Sequence, residues 1–439
     1  MEAGVARMDL IISGGRLVDG SGAPWRYADL GVSGGRLVAV GRLRGAEAKQ
    51  HLEVQGRIVC PGFIDMHSHS DLALLTGKDM DLRLRQGITT EVVGQDGLSY
   101  APASAVHLQQ WRRYLAGMNG DAPDEFWTWR TVGEFIEALG GGPANAVYLL
   151  PHGAVRVEAM GWDARPAGDS ELADMRALVR EALAQGAAGL STGLTYAPCA
   201  HAKTDELVAL CEEVARWGGV YVTHLRFYGE ELLGAIDEAV EIGRRSGVAV
   251  HLSHLRITEA SRKGASAQVL AAIDKAREAG VDVTFDLYPY TTGCGPLFVL
   301  LPFWAQSGGP EQVMSRLKDP LQVQRMVAEM SSWPVDWNTY TLSNAPPAEC
   351  GHWDGVRLVE AARQMELGVE EFIPRLLLEC ELNAAILASG GSEEDNERMF
   401  SHQAGMVASD GVLPGEHPHP RAAGCYPRVL AHYVREKKL

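Results

Sequence analysis

The sequence predicts an α/β protein in which a (β/α)8 TIM barrel follows a small β-sandwich-like domain. Short apolar runs separated by glycines occupy the first 57 residues, and strand-like runs alternate with helix-like runs from residue 58 onward. Eight parallel strands with helical crossovers form a barrel. We therefore predict a small β domain at residues 1–57 and a barrel domain at residues 58–439.

The first 57 residues are predicted to form hairpins. Apolar runs are interrupted by Gly14-Gly15, by Gly20–Gly22 and by Gly34-Gly35. Paired glycines between strand-like runs are hairpin signals, because tight turns need residues that accept a positive φ. The predicted strands are Asp9–Ser13, Arg16–Val18, Leu30–Val32 and Arg36–Val40.

Strand-like and helix-like segments alternate after residue 57. The clearest helices carry apolar residues at helical spacing, end at or near a glycine, and are predicted at Ser170–Gln185, Thr204–Trp217, Leu232–Arg245 and Ala265–Ala279. The eight predicted barrel strands are Ile58–Met66, Thr89–Gly94, Ala146–Leu150, Gly189–Thr192, Gly219–Leu225, Val248–Leu255, Asp282–Tyr288 and Gly405–Ser409.

Two longer segments interrupt this alternation. Val106–Leu139 is rich in tryptophan and is predicted to extend the second crossover. An insertion at about residues 296–344 follows the seventh strand. Long insertions after barrel strands are usually functional lids or small subdomains, and this is the expectation for both segments.

Composition and charge narrow the classes of partner. The chain is 46% hydrophobic, and its 56 acidic and 40 basic residues give a net charge of −16. Nucleic acids and anionic membranes need a basic surface, so neither is expected as a partner, whereas a small substrate is compatible. Seven irregularly spaced cysteines without a CxxC motif predict reduced thiols and a cytoplasmic protein. The oligomeric state stays open.

Four histidines stand where predicted strands end. His67 and His69 are two residues apart after the first barrel strand, so their side chains point to the same side. His224 and His254 each close an apolar run within the repeated phrase Thr/Ser-His-Leu-Arg. Barrel active sites lie at this end of the strands, and imidazoles suit a divalent metal such as zinc. His251 faces away from His254 and is given a structural role.

Asp410 joins this group at the end of the eighth predicted strand. Any one member could be an ordinary surface or core residue, but chance does not readily place the whole set at strand ends. A bound metal makes water more acidic and polarises a carbonyl, while a carboxylate moves the proton to the leaving nitrogen. The residues therefore predict metal-assisted hydrolysis of an amide or a close relative, with Asp410 as catalytic base and acid.

A series of phrases then carries a family resemblance. They are Leu10–Gly22, Pro61–Asp71 (PGFIDMHSHSD), Ser191–Pro198 (STGLTYAP), Ser253–Arg256 (SHLR), Asp286–Tyr290 (DLYPY) and Ser409–Gly411 (SDG). Together they resemble the amidohydrolase superfamily and, within it, the D-aminoacylase (N-acyl-D-amino-acid deacylase) family. The resemblance runs from about residue 8 to about residue 434, and the order and spacing of the phrases make it specific.

This resemblance implies a zinc enzyme that hydrolyses N-acyl-D-amino acids to a carboxylate and a free D-amino acid, with one or two divalent ions. It implies that His224 and His254 hold the tighter ion. It further implies that His67, His69 and Asp410 line a second position.

Asp96 departs from the family pattern. Well-known members carry Gly-Asn-Cys-Gly after the second strand, where this sequence reads Gly94-Gln95-Asp96-Gly97. A carboxylate can bridge two metals, but it is a harder ligand than a thiolate. Two interpretations of Asp96 stay open, a bridging ligand or the cap of a turn, and the number and identity of the ions depend on which one holds.

The resemblance also implies substrate contacts. Arg421 would bind the carboxylate of the amino acid through its bidentate fork, and Arg256 stands where the family often has Lys. Tyr196 and Tyr288 would donate hydroxyl groups, although packing is an equally ordinary role for them. Cys294 stands where a Ser is common.

Two alternatives to this function stay open. Family chains usually continue beyond the equivalent of Leu439 with further strands, so the small β domain is expected to be incomplete, with an exposed sheet edge. A truncated, non-catalytic homologue is therefore one alternative. The other is a cyclic amidase of the hydantoinase or dihydroorotase type. Those relatives usually carry a carboxylated Lys on strand four, whereas Gly189–Thr192 contains no Lys.

Overall fold

A computed structural model describes residues 7–258, 263–345 and 353–439 of the chain. The chain divides into two compact units, Met1–Phe63 and Ile64–Leu439. Among the described helices, none has the length and apolar character needed to cross a membrane. The domain boundary expected between residues 57 and 58 stays a prediction.

The first unit is a mixed β-sheet in which the strand order is β3-β2-β1-β4, with β5 beside β1. Antiparallel pairing joins β1 to β2 and β2 to β3, whereas β4 and β5 run parallel to β1. The expectation that this unit is incomplete stays a prediction. The strands are β1 (Met8–Leu17), β2 (Arg26–Ser33), β3 (Arg36–Gly41), β4 (Ala48–Glu53) and β5 (Ile58–Val59).

The glycine pairs of this unit do two different things. Gly34 and Gly35 form the predicted hairpin turn between β2 and β3, and both have positive φ, as a two-residue turn of this kind requires. The hairpin predicted at Gly14-Gly15 is wrong, because β1 continues through this pair. The register with β2 shifts there, so these glycines accommodate a bulge instead of a reversal of the chain.

The first predicted barrel strand, Ile58–Met66, is also wrong as a single strand. The segment forms β5 and a separate β6, Phe63–Asp65. The first of these pairs with β1 and the second with β7, Ile88–Val93. Pro61 lies between them, and proline has no N–H to donate to a strand ladder, so the chain leaves one sheet before it enters the next.

The remaining predicted strands are confirmed with small changes at their ends. Leu149 interrupts the third predicted strand, which forms the short strands β8 and β9, and the sixth ends at Leu252, before His254. The strands are β8 (Asn145–Tyr148), β9 (Leu150–Pro151), β10 (Gly189–Gly193), β11 (Val220–His224), β12 (Ala249–Leu252), β13 (Val283–Leu287), β14 (Thr292–Pro296), β15 (Tyr340–Asn344), β16 (Ala385–Ser389) and β17 (Gly405–Val407).

Parallel pairing joins β7 to β8 and joins β9, β10, β11, β12, β13 and β17 in series. One sheet has the order β17-β13-β12-β11-β10-β9, and another has the order β6-β7-β8. An isolated parallel bridge pairs Ser68, which follows β6, with Gly411, which follows β17. The carboxyl ends of these strands therefore lie on one side of the sheets, which is where barrel enzymes place their side chains for catalysis.

Helices connect these strands, and the four predicted helices are confirmed to within one residue at each end. The helices are α1 (Asp71–Thr76), α2 (Met80–Leu84), α3 (Ala105–Tyr114), α4 (Ala116–Asn119), α5 (Val132–Leu139), α6 (His152–Met160), α7 (Asp169–Ala184), α8 (Thr204–Arg216), α9 (Leu232–Ser246), α10 (Ser266–Glu278), α11 (Phe303–Gln306), α12 (Gly309–Lys318), α13 (Pro320–Met330), α14 (Leu358–Gln364), α15 (Val369–Glu379), α16 (Glu393–Phe400) and α17 (Arg421–Arg428).

Two segments add structure to the repeating pattern. The tryptophan-rich segment after β7 forms α3 to α5 and buries Trp111, Trp129 and Phe135 in the main hydrophobic core. Between β13 and β17, the chain forms a three-stranded antiparallel sheet of order β14-β16-β15 together with α11 to α16. This second segment contains the predicted insertion at 296–344 and extends beyond it at both ends.

Candidate active site

Each predicted ligand lies at or just after the carboxyl end of a parallel strand. His67 and His69 follow β6, and Asp96 follows β7. His224 is the last residue of β11, and His254 lies two residues after β12. Asp410 follows β17 and completes the set. The structure therefore brings together all six residues that the sequence singled out as candidate ligands.

Asp96 lies at the centre of the four imidazoles. Each of its carboxylate oxygens faces one histidine of the pair His67 and His69 and one of the pair His224 and His254, so the carboxylate lies between the two pairs. Oδ1 is 3.6 Å from Nε2 of His67 and 3.6 Å from Nε2 of His254, while Oδ2 is 3.6 Å from Nε2 of His69 and 3.8 Å from Nδ1 of His224. This geometry favours the bridging interpretation of Asp96 over the turn cap.

A tight turn holds Asp96 in this place. Gln95–Gly97 form a single 3-10 turn, in which Asp96 has a φ of 57°. The Gln95 amide donates a hydrogen bond to the Met66 carbonyl at 2.9 Å, and the Gly97 N–H donates to Ser191 Oγ at 3.1 Å. A side chain at position 97 would come within 2.8 Å of Cys199 Sγ, so the turn needs glycine there.

Hydrogen bonds from outside the set orient two of the imidazoles. Thr195 Oγ1 is 2.9 Å from Nε2 of His224, so Nδ1 of that ring faces the site. The Tyr228 hydroxyl is 3.2 Å from Nδ1 of His254, so Nε2 of that ring faces the site. Sequence analysis missed Thr195 and Tyr228, although Thr195 stands in the STGLTYAP phrase. Such outer partners are what set the tautomer of a ligating histidine.

Asp286 is a third residue that sequence analysis missed, although it opens the DLYPY phrase. One oxygen, Oδ2, is 2.8 Å from Nε2 of His251 and 3.8 Å from Nδ1 of His67. The other accepts a hydrogen bond from the backbone N–H of His254 at 2.8 Å. Nδ1 of His251 also lies 2.8 Å from Thr284 Oγ1, so His251 supports the site from below, as the structural interpretation expected.

The site concentrates negative charge. Burial lowers the pKa of His67, but the carboxylates of Asp96, Asp286 and Asp410 outweigh burial and raise that pKa to about 9. Burial raises the pKa of Asp96, yet the surrounding imidazoles hold it well below its ordinary value. Three buried carboxylates close together need positive charge beside them, which a divalent cation would supply.

The donor atoms fit such a cation. Two groups of possible ligands share Asp96, one with His67 and His69 and one with His224 and His254, and within each group all ligand atoms lie within 4.8 Å of one another. Imidazole nitrogens and carboxylate oxygens are ordinary zinc ligands. Among the described residues, neither ring nitrogen of His67 nor Oδ1 of Asp96 has a hydrogen-bond partner. Buried polar atoms seldom lack one unless they have another role.

Asp410 faces both the imidazoles and an arginine. Its Oδ1 is 3.2 Å from Nε2 of His69, and its Oδ2 is 2.8 Å from Nη1 of Arg421. Burial raises the pKa of Asp410, but Arg421 and the nearby imidazoles outweigh burial and hold it below its ordinary value. Arg421 is fully buried, lies 4.4 Å from the centre of the Tyr288 ring, and is not part of the cavity wall.

A cavity of about 410 Å³ opens above these side chains. Tyr196, Arg256, Tyr288 and Cys294 all line it. The guanidinium of Arg256 donates a hydrogen bond to the Tyr288 hydroxyl and packs against Gly293, where any side chain would overlap it. The apolar part of the wall consists of Met118, Val299, Leu300, Tyr340, Ile386 and Ala388.

A third group of possible ligands lies elsewhere. Glu393, Glu397 and His432 place their ligand atoms within 4.8 Å of one another. Cations already neutralise both carboxylates, since Arg428 lies 3.2 Å from Glu393 and Lys437 lies 2.6 Å from Glu397. This group is partly exposed and does not resemble the buried site beside Asp96.

Comparisons with known proteins agree with this geometry. Residues 53–292 match the amidohydrolase family. The chain is 34% identical over 436 residues to D-aminoacylase of Alcaligenes xylosoxydans xylosoxydans, covering 98% of this chain and 79% of that protein. It is 35% identical over 435 residues to N-acyl-D-glutamate deacylase of the same organism, covering 99% and 80%.

A solved structure shows the same similarity in three dimensions. The crystal structure of N-acyl-D-glutamate deacylase from Bordetella bronchiseptica, complexed with zinc and a phosphonate inhibitor, matches with a TM-score of 0.80 and 31% identity. The match covers 98% of this chain and 82% of that one. That inhibitor mimics the tetrahedral intermediate of the reaction of that enzyme.

The site consists of imidazoles and carboxylates at the carboxyl ends of parallel strands. Together with these matches, it identifies the protein as a metal-dependent hydrolase. The sequence similarity extends over nearly the whole chain. The chain belongs to the amidohydrolase family and, within it, to the D-aminoacylase (N-acyl-D-amino-acid deacylase) family.

Proposed function

We propose that this protein is a zinc-dependent enzyme that hydrolyses the amide bond of N-acyl-D-amino acids, producing a carboxylate and a free D-amino acid. The observation that carries the proposal is the position of Asp96 among four imidazoles, with Asp410 beside them, at the base of a cavity. The family assignment favours a linear amide over the cyclic amides of hydantoinase-like enzymes.

The proposed zinc ligands are His67, His69, Asp96, His224 and His254, with Asp410 at the edge of the set. Asp96 belongs to both groups of ligands, which supports one or two ions with a shared carboxylate. Zinc supplies a Lewis acid that polarises the amide carbonyl and makes water acidic enough to lose a proton near neutral pH.

Asp410 is the proposed catalytic base and acid. The ion pair with Arg421 keeps it ionised, so it enters the reaction in the form that accepts a proton. Its Oδ1 faces the imidazoles, where it takes the proton of the attacking water, and the same oxygen then returns that proton to the leaving nitrogen. Water adds as hydroxyl to the acyl carbon and hydrogen to the amine, so the atoms of the reaction balance.

Arg256 is the cation of the cavity wall and the proposed partner of the substrate carboxylate, with the Tyr288 hydroxyl beside it. Arg421, which sequence analysis placed at that carboxylate, supports the reaction through Asp410 in this arrangement and reaches substrate only if that ion pair opens. Tyr196 lies beside His224, with ring centres 4.7 Å apart, and its hydroxyl is the proposed donor to the acyl carbonyl.

Two expectations about the fold and the compartment belong to the same proposal. The strand order and the bridge between Ser68 and Gly411 support a closed (β/α)8 barrel in the second unit. The buried thiols Cys199, Cys211 and Cys425 are free, which supports a reducing, cytoplasmic environment.

Amine release from N-acetyl-D-methionine and N-acetyl-L-methionine tests the function directly. We expect zinc-loaded protein to release amine from the D-form only, and we expect chelator to abolish that release. Protein that binds zinc but releases amine from neither form would contradict the proposal and favour a non-catalytic homologue. Equal release from both forms would contradict the D-preference.

A further inference from the structure

A buried arginine lies beneath the site, in a place that the proposed chemistry does not use. Arg83 belongs to α2, and its side chain is fully buried, which is rare for arginine unless every donor has a partner. Its hydrogen-bond acceptors are Glu91 Oε1 at 2.7 Å, Asp65 Oδ2 at 2.6 Å, Ser68 Oγ at 2.8 Å, Ser409 Oγ at 2.8 Å and the Ala422 carbonyl at 3.1 Å.

These acceptors are the chain neighbours of the site residues. Ser68 stands between His67 and His69, and Ser409 directly precedes Asp410. Ala422 directly follows Arg421, the ion-pair partner of Asp410. One planar guanidinium therefore joins the segment after β6, the segment after β17 and the start of α17.

We propose that Arg83 is a positioning residue that holds His67, His69 and Asp410 in register with one another. The inference rests on the proposed function only in the experiments that measure turnover. Arg83 does not contact the cavity, so its effect on the reaction passes through the backbone segments that it joins.

The acceptors of Arg83 are themselves tied together, which makes this joint rigid. Ser68 Oγ donates to Glu91 Oε2 at 2.9 Å, and the Ser409 N–H donates to Asp65 Oδ1 at 2.8 Å. The Asp410 N–H also donates to the His67 carbonyl at 2.8 Å. These hydrogen bonds therefore fix the position of Asp410 relative to His67.

The geometry requires the fork of arginine and not merely a positive charge. Donors on Nε, Nη1 and Nη2 point to three different segments at once, which the single ammonium of lysine cannot do. Gly411 leaves the space that the guanidinium fills, since a β-carbon at that position would overlap Nη1.

A stabilising role alone is the competing explanation, because Asp65 and Glu91 need a cation beside them. Arg83→Lys separates the two explanations, since it keeps the charge and removes the fork. Arg156→Lys is the matched control. Arg156 is equally buried and is bound to Glu206, but it donates to none of the segments that carry the site residues.

We expect Arg83→Lys to lower kcat between about 10- and 100-fold for an N-acyl-D-amino acid, with KM within about 3-fold of the parent value, because misplaced catalytic groups slow the reaction without removing substrate contacts. Arg156→Lys should lower the melting temperature and leave kcat unchanged. An Arg83→Lys protein that melts lower but keeps the parent kcat would overturn the inference.

Two further measurements cover the cases in which this comparison fails. If Arg83→Lys does not fold, Ser409→Ala removes one acceptor next to Asp410 without changing charge, and a kcat equal to that of the parent would overturn the inference.

If the parent releases no amine, the proposed function has failed, and cobalt(II) absorption still tests the positioning role. We then expect altered cobalt bands in Ser409→Ala or Arg83→Lys and parent-like bands in Arg156→Lys; parent-like bands in all three would overturn it.

Discussion

At the residue scale, the function of each site residue depends on which neighbour its side chain meets. Asp96 contacts four imidazoles that lie on three separate segments of the chain. Arg421 meets Asp410 at 2.8 Å and lies behind the cavity wall, whereas Arg256 lines the cavity. Both arginines follow barrel strands, so sequence position alone does not distinguish the one that pairs with Asp410 from the one that faces substrate.

Replacement of Asp410 by Asn tests its catalytic role. The amide cannot accept a proton, so kcat should fall by about 10²- to 10⁴-fold while the dissociation constant for a substrate, measured by calorimetry, changes little. Asp395→Asn is the matched control, because Asp395 is a buried carboxylate that binds Ser266 and the Gly264 N–H instead. An Asp410→Asn protein with the parent kcat would disprove the assigned role.

Replacement of Tyr228 by Phe tests whether the Tyr228 hydroxyl orients His254. The ring remains, but the partner of Nδ1 is lost, so zinc affinity should fall by about 10- to 100-fold. Competition with a chromogenic chelator measures this affinity. Tyr340→Phe serves as control, since Tyr340 lines the same cavity without a hydrogen bond to any of the four histidines. Equal affinities in both variants would contradict the prediction.

At the element scale, the segment between β13 and β17 supplies most of the apolar cavity wall. Its short helical turn Leu297–Leu300 contributes Val299 and Leu300, and its small sheet contributes Tyr340 and Ile386. Among the described residues that line the cavity, Arg256 is the one arginine or lysine. With Arg256 at the α-carboxylate, as proposed, we infer that this wall suits an apolar substrate side chain.

The preference of the enzyme among substrate side chains tests this interpretation of the cavity wall. We expect kcat/KM for N-acetyl-D-leucine to exceed that for N-acetyl-D-glutamate by at least about 100-fold, because the described cavity wall has no second arginine or lysine to pair with a second carboxylate. Leu300→Arg should shrink that ratio. Phe303→Arg, an exposed position three residues further along that does not line the cavity, should leave the ratio unchanged. A parent enzyme that prefers D-glutamate would contradict the prediction without affecting the proposed reaction.

A buried ion pair joins two of the connecting helices. Glu206 of α8 lies 2.8 Å from Nε2 of His152 and 2.5 Å from Nη1 of Arg156, both on α6. Burial raises the pKa of Glu206, but His152 and Arg156 outweigh burial and lower it to about 2. A carboxylate with a depressed pKa stabilises the fold above its ordinary pKa of 4.5, and this contribution is lost as pH falls toward 2.

Glu206→Gln should therefore lower the free energy of unfolding by about 3 kcal/mol at pH 7, with the difference closing between pH 4.5 and about pH 2. Urea unfolding at several pH values measures it. Glu171→Gln is the control, because the pKa of Glu171 is also lowered to about 2, but its ion pair with Arg165 lies at the surface, where ion pairs contribute little. A Glu206 difference that does not depend on pH would contradict the assignment to this carboxylate.

At the scale of the whole molecule, metal binding should couple to folding. The proposed ligands come from residues 67 to 410, so only the folded chain brings them together. At a free zinc concentration 1,000 times the dissociation constant, this coupling stabilises the folded state by about 4 kcal/mol. Chelator should therefore lower the melting temperature, and added zinc should restore it. The same response in His432→Ala would show that the site beside Asp96 is responsible, whereas loss of the response would implicate the partly exposed group that contains His432.

Much of the fold follows from local pattern. Helices such as Thr204–Arg216 were predicted to within a residue, because helical spacing and a terminal glycine are local signals. The predictions were wrong where pairing with another strand decides the local structure. The strand predicted at Ile58–Met66 divides between two sheets, and Gly14-Gly15 forms a bulge because β2 pairs along both sides of it.

In the candidate site, too, some residues could be predicted from local pattern and others could not. Residue type and position at the ends of strands were sufficient to name His67, His69, His224, His254 and Asp410, because the direction of a parallel strand decides where its last side chains lie. The residues that orient these side chains could not be predicted in this way. Asp286, Tyr228 and Arg83 act through side-chain contacts between segments far apart in sequence, and such contacts depend on packing distances of a few ångströms.

The chain thus carries its class of chemistry in local patterns, since strand ends and ligand types are both readable one segment at a time. Which oxygen of Asp96 faces which histidine, which arginine pairs with Asp410 and which residues form the apolar wall are decided only in three dimensions. The physical reason is range. Backbone preferences act over a few residues, whereas coordination, ion pairing and burial act across segments that only the folded structure brings within contact distance.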